Sequence, residues 1–273
     1  MNKNKNEITF IGFGNMGSAI IKGIIKEKIF SHINIIENDK SKFINSSDLE
    51  LNFKEKIDNN ISNSKFIWIC IKPQSFQYLA NEIKGFLNDN QVLISIMAGV
   101  KIEQIKKLSN HRKIIRVMPN TPAQVSKGMS VWKSTNEVNS EEKELAISML
   151  NSFGKSLEAE SEDIIDTATA LSGSGPGFIY KFLETLILAG KKYGLTDSMS
   201  YTLAKETLIG SSELLRISNK TPKELREAVT SPGGTTEAGL DFLQENKIEE
   251  IISGTIKAAV DRSIKLSKES ESN

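Results

Sequence analysis

The sequence predicts an α/β fold, in which a parallel sheet with helices on both faces fills the first half and an all-helical region follows. Three observations predict it. Short apolar runs alternate with amphipathic segments up to about residue 118. A glycine-rich turn, Gly12-Phe13-Gly14-Asn15-Met16-Gly17, joins the first run to the first helical segment. From about Asp163 onward the spacing is helical throughout.

Taken in order, residues 7–12 read as a strand, 15–27 as an amphipathic helix and 33–37 as a second strand. Residues 66–72 form a continuous apolar run, the pattern of a strand buried on both faces. Helix is expected at 75–87 and 102–108, and strand at 92–97 and 113–118. In the second half, 177–192, 198–217, 223–229, 235–246 and 248–268 carry helical spacing. Thr221 and Glu224 have the spacing of a capping box, with Pro222 at the first helical position. The polar tail, 267–273, is expected to fray. The change in character sets the expected domains at 1–160 and 161–273. A helical region of about 110 residues has too little interior to bury all its apolar faces, so a partner subunit is expected to cover them.

Composition excludes several classes. The formal charge is +1, from 35 basic and 34 acidic side chains, so no long-range field gathers nucleic acid or anionic membrane. No apolar run reaches the ~18 residues of a membrane span. Gly12, Gly14 and Gly17 interrupt the apolar stretch near the N-terminus, and a cytoplasmic chain is expected. The one cysteine, Cys70, lies in an apolar run and reads as a small buried hydrophobe, and no intrachain disulfide can form. With only two histidines, His32 and His111, no metal site is expected.

The glycine motif follows a strand and opens a helix, the context in which it binds a dinucleotide. Gly12 permits the tight turn, Gly14 lets a pyrophosphate approach the backbone, and Gly17 lets the helix pack closely on the strand. The helix N-terminus offers N–H groups and partial positive charge to the phosphates. Residues Ile11, Gly12, Phe13, Gly14, Asn15, Met16 and Gly17 are therefore expected to hold the cofactor on a Rossmann-type sheet. Glu37, twenty residues after Gly17, suits the adenosine ribose hydroxyls and favours NAD, while Lys40 and Lys42 could neutralise a 2′-phosphate. The choice between NADPH and NADH stays open. Three further strand ends would bring backbone near a nicotinamide: Lys72-Pro73, Ala98-Gly99-Val100, and Met118-Pro119-Asn120.

Two segments in the second half, Leu171-Ser172-Gly173-Ser174-Gly175-Pro176-Gly177 and Val229-Thr230-Ser231-Pro232-Gly233-Gly234-Thr235-Thr236, join small hydroxyl residues and glycine to an expected helix N-terminus. That construction binds a carboxylate without a basic side chain. Each alone is an ordinary N-cap turn; as a pair beside a dinucleotide site they point to an enzyme for a small carboxylate.

These blocks, with Ile71-Lys72-Pro73-Gln74, Arg116-Val117-Met118-Pro119-Asn120-Thr121-Pro122-Ala123 and Leu225-Arg226, resemble the pyrroline-5-carboxylate reductases nearly end to end. The resemblance implies reduction of 1-pyrroline-5-carboxylate to L-proline by NADPH or NADH, the last step of proline biosynthesis. It implies a helical dimerisation domain, a homodimer, and larger rings such as decamers. Ser174, Ser231, Gly234, Thr235 and Thr236 match substrate-binding positions, with Thr236 as the hydroxyl beside the ring nitrogen. Glu162 matches a position near the cofactor. Two readings compete. A β-hydroxyacid-type dehydrogenase would need a lysine or histidine base, for which the helical region offers only Lys181 and Lys191, outside both glycine-rich segments. A non-catalytic dinucleotide sensor would leave both segments unused.

Overall fold

The computed structural model describes residues 7–42 and 51–271. Eight strands form one sheet: β1 (Glu7–Ile11), β2 (His32–Ile36), β3 (Leu51–Lys54), β4 (Phe66–Ile69), β5 (Val92–Ser95), β6 (Ile114–Met118), β7 (Gly128–Ser134) and β8 (Gly154–Glu158). Their order is β3-β2-β1-β4-β5-β6-β7-β8. The first six are mutually parallel in the Rossmann order. The last two depart from the expected parallel sheet. Residues 119–127 link β6 to β7, and nine residues are too few for the dozen or more that a parallel crossover needs. The chain therefore returns antiparallel, and a helix then carries it to β8, parallel to β7.

Alternation along the strands divides the core into two layers. Phe10, Phe66 and Trp68 face one way and pack with Ile20 and Ile24 of α1 (Asn15–Lys26) and Met149 and Leu150 of α4 (Ser140–Asn151). Ile11, Ile67, Ile69 and Leu93 face the other way, onto α2 (Phe76–Ile83) and α3 (Ile102–Ser109). β4 is buried at every position, as its unbroken apolar run predicts, and Phe10 stacks on Trp68 at 5.5 Å.

The chain divides into two compact units, Met1–Ser174 with Ala259–Asn273, and Gly175–Ala258. In the first, α5 (Asp163–Ala168) runs directly into a π-helical turn, Thr169–Gly173. The second contains α6 (Gly175–Lys192), α7 (Asp197–Ile217), α8 (Pro222–Ala228), α9 (Thr235–Glu245) and the first part of α10 (Ile248–Glu271). The capping box at α8 forms: Glu224 N donates to Thr221 Oγ1 at 3.3 Å, and Thr221 N donates to Glu224 Oε2 at 2.7 Å. The tail expected to fray is instead helical through Glu271, and Ser267 is 1% exposed. Within the first unit, Ser267 donates to Asp166 and Ser270 to the Gly99 carbonyl, which holds this polar segment in place.

Candidate active site

Chain order in the sheet reverses between β1 and β4, and ligands of open parallel sheets bind outside the carboxyl ends of the strands at such a point. The glycine turn lies there. Gly12 has φ +99°, and a Cβ on it would meet the Cys70 carbonyl oxygen at 2.6 Å. A Cβ on Gly17 would meet the Gly12 carbonyl oxygen at 2.6 Å. Gly12 and Gly17 thus let loop, helix and β4 approach one another, as the motif requires. Gly14 is exposed with open space around its α-carbon, and as the N-cap of α1 it supplies no side chain to the helix's first N–H groups. The first turn, Asn15-Met16-Gly17-Ser18, contains no carboxylate, so the positive end of α1 is open to an anion. Cys70 is half-buried beside the turn, and burial pushes its thiol pKa well up.

Glu37 follows β2 and faces this turn. Its Oε2 accepts from Phe13 N at 2.9 Å and from Lys42 Nζ at 2.8 Å; its Oε1 accepts from Asp39 N at 3.0 Å. Burial pushes the carboxyl up, but the Lys42, Asp39 and Phe13 hydrogen bonds outweigh it and hold it below the usual glutamate range. Lys40 pairs with Glu55 at 2.6 Å. Both lysines proposed to meet a 2′-phosphate thus already serve carboxylates. Beside them a cleft of about 500 Å³ is lined by Ile11, Gly12, Glu37, Asn38, Glu55, Lys56, Tyr78 and Glu82, among others.

At the β4 end, Lys72 is extended and Pro73 opens a short 3-10 turn, Pro73–Ser75. Ala98 is half-buried and Gly99 buried. Asn120 is fixed on both sides of its amide: Oδ1 accepts from Met129 N at 2.8 Å, and Nδ2 donates to Ser172 O at 3.2 Å. Glu162, placed near the cofactor by resemblance, is engaged with protein: its Oε1 accepts from Ile102 N and from Arg116 Nη1, each at 2.8 Å. Arg116 is 2% exposed and its Nη2 also reaches Asp166 Oδ1 at 3.3 Å. A charged residue inside the apolar run Ile114-Ile115-Arg116-Val117 was the sequence signal for this buried network.

The two hydroxyl-rich segments differ. Leu171–Gly177 opens α6 at Gly175, directly after the π turn. Its start forms the π turn, and Ser174 N donates to Thr169 O at 2.8 Å. Pro176 has no N–H for the Ser172 carbonyl one turn back, and the Asn120 amide takes that acceptor instead. π turns recur at functional sites, and this one half-buries Ser174. Val229–Thr236, in the second unit, also opens a helix. Gly234 is the N-cap of α9, and its N donates to Ser231 O at 2.9 Å. Gly233 N donates to Glu237 Oε2 at 2.7 Å, a contact unforeseen in the sequence that removes one donor from any ligand. Ser231 and Thr235 are exposed and Thr236 is half-buried in the first turn of α9.

A sheet in this order, with an open helix N-terminus at its switch point and an acid beyond the second strand, defines a dinucleotide-binding protein of the Rossmann type. Residues 162–266 match the family model for pyrroline-5-carboxylate reductase dimerisation, and residues 7–99 match that for NADP oxidoreductase, coenzyme F420-dependent. The pyrroline-5-carboxylate reductase of Staphylococcus saprophyticus is 32% identical over 97% of this chain and 99% of its own. That of Staphylococcus haemolyticus is 35% identical over 96% and 98%. Among solved structures, a pyrroline-5-carboxylate reductase from Coxiella burnetii superposes with TM-score 0.90 at 30% identity, covering 96% of this chain and 99% of that one. The Plasmodium falciparum pyrroline carboxylate reductase with NADP bound gives TM-score 0.83 at 31% identity, covering 97% and 100%. The chain belongs to the pyrroline-5-carboxylate reductase family. It is an NAD(P)H-dependent oxidoreductase that reduces the cyclic C=N bond of 1-pyrroline-5-carboxylate to give L-proline, and its helical region is the family's homo-oligomerisation domain.

Proposed function

We propose that the reaction runs by direct hydride transfer to a substrate that arrives as the protonated imine, with the protein supplying position and polarity. Bound reduced nicotinamide supplies the hydride. The open N-terminus of α1 with Gly14 receives the pyrophosphate, and Ile11 to Gly17, Lys72, Pro73, Ala98, Gly99 and Asn120 line the cofactor path. Glu162 acts from beneath that path, through Ile102 and Arg116. Residues 1–160 act as the dinucleotide domain and 161–273 as the helical substrate domain. The Ser231, Gly234, Thr235 and Thr236 segment, with Ser174, holds the carboxylate and the ring. The Thr236 hydroxyl accepts from the ring N–H of the imine, or donates to the amine after transfer. No separate base is needed, because the electrophile is activated by its own proton.

Glu37 accepts from the adenosine ribose hydroxyls and disfavours an added 2′-phosphate, while Lys42 and Lys40, paired with Glu37 and Glu55, offset that charge. The donor is NADPH or NADH, and the ratio of kcat/KM for the two measures the weight of Glu37. The helical unit forms a homodimer, larger rings such as decamers build from it, and the enzyme works in the cytoplasm.

The observation that carries this reading is the N-terminus of α9, where Gly234 is the N-cap and Thr235 and Thr236 lie in the first turn with Glu237 turned back onto Gly233 N. The test is steady-state oxidation of NADH and NADPH with pyrroline-5-carboxylate. Thr236→Ala is expected to lower kcat/KM roughly tenfold to a hundredfold, the worth of one hydrogen bond in the transition state, with the thermal midpoint kept. An unchanged kcat/KM removes Thr236 from the mechanism. Turnover of a β-hydroxyacid instead, or no turnover at all, returns the competing readings.

A further inference from the structure

At the carboxyl end of β5 the chain passes through Ala98-Gly99-Val100 and enters α3 at Ile102. Two features hold this loop, and both draw on residues far along the chain. Gly99 has φ +74°, and a Cβ there would meet Leu266 C and Cβ at 3.2 Å and Ser267 N at 3.3 Å. The loop backbone therefore lies directly on the last turns of α10. Ser270 Oγ donates to the Gly99 carbonyl at 2.6 Å. Its one proton has two other acceptors in reach, Ser267 O at 2.8 Å and Gln104 Oε1 at 3.1 Å, and Gly99 O is the nearest. The Gln104 amide in turn donates to the Ser270 carbonyl.

The loop's far end is held by the buried network. Ile102 N donates to Glu162, Arg116 bridges Glu162 and Asp166, and Asp166 Oδ1 accepts from Ser263 Oγ at 3.1 Å and Ser267 Oγ at 3.5 Å. Ser263, Ser267 and Ser270 share one face of α10 at spacings of four and three. All these residues belong to the first unit.

We propose that the last turns of α10 set the position of the Ala98–Ile102 loop against the nicotinamide, with Ser270 as the positioning residue. A carbonyl and the following N–H share one rigid plane, so holding Gly99 O on Ser270 also fixes where Val100 N–H points. Hydride transfer is sensitive to errors of an ångström, so a loop free to rotate lowers the rate without touching substrate. The inference rests on the reading of Ala98 and Gly99 as nicotinamide contacts.

The test compares Ser270→Ala, Ser270→Thr and Ala98→Leu in the full-length enzyme. It measures dissociation constants for ADP-ribose, which lacks nicotinamide, and for NADH and NADPH, together with kcat/KM. Ser270→Ala is expected to weaken dinucleotide binding or lower kcat roughly three- to tenfold while ADP-ribose binding stays unchanged, and Ser270→Thr to restore both. The proposal is overturned if Ser270→Ala leaves dinucleotide binding and kcat unchanged, or weakens ADP-ribose to the same degree, as a general structural defect would. If Ala98→Leu discriminates the dinucleotide from ADP-ribose and Ser270→Ala does not, positioning fails and the nicotinamide reading stands. If neither variant discriminates, the nicotinamide reading itself fails.

Discussion

Glu37, proposed above to meet the ribose, also stabilises the glycine turn, because its carboxylate accepts the Phe13 N–H. The ionised carboxylate is the stronger acceptor for that bond, and the Lys42, Asp39 and Phe13 contacts hold the acid below the usual glutamate range. A depressed carboxyl contributes stability above its unfolded pKa, and this is lost as pH falls through the folded value. Affinity for NAD⁺ is therefore expected to be flat near neutrality and to fall only at pH below the usual glutamate range. Calorimetric titration across that range checks it, and Glu37→Gln should flatten the acid limb. The same variant removes a charge from the 2′-phosphate position, so the NADH to NADPH ratio of kcat/KM should drop roughly tenfold. The place of this acid was legible from its distance to Gly17. Its grip on Phe13 was not, since a side chain's choice of backbone partner depends on how strand ends meet in space. Glu162 shows the same limit: resemblance put it near the cofactor, while only the fold reveals that it holds Ile102 and Arg116.

Among the elements, the helix start at α6 was legible, but the π turn before it was not, because glycine, serine and proline signal both. Pro176 decides the outcome locally: it cannot serve the Ser172 carbonyl, and Asn120 does so from the end of β6. Asn120→Ala should leave that carbonyl and the Met129 N–H without their partner and cost about 1–3 kcal/mol, read by denaturant unfolding monitored on the first unit. The strands with long apolar runs, β1, β2, β4, β5 and β6, were legible from those runs. β3, β7, α4 and β8 were not assigned. β3 spans only four residues, and β8 at the other edge reads Gly-Lys-Ser-Leu-Glu, a composition that blunts an edge rather than announcing a strand. α4 carries four charged residues near its start, and its capping box, Asn139 with Glu142, was the available signal.

At the scale of the whole molecule, the helical unit leaves its apolar surface uncovered. Among the described residues, none of α6, α8 or α9 is buried, and α7 buries only Ser200. Ile179, Phe182 and Leu186 are each at least 42% exposed and share one face of α6. Each such side chain is worth about 1.5–3 kcal/mol when covered, so a few on each subunit are enough to drive association. Phe182→Asp is expected to shift the protein toward monomer and to lower activity in parallel, which sedimentation velocity and assays at matched concentration would check. Loss of activity without dissociation would place Phe182 in the site instead.

The return of α10 to the first unit also shapes how the chain folds. Gly99 meets Ser270 across 171 positions of sequence, and the 84 residues of Gly175–Ala258 intervene before the first unit receives its closing segment. Such distant pairing raises contact order and slows folding, because loop closure must precede the contacts that reward it. Until α10 docks, Asp166 lacks its serine donors and the Gly99 carbonyl lacks Ser270. The dinucleotide unit is thus completed late in folding, after the helices that join subunits have been synthesised.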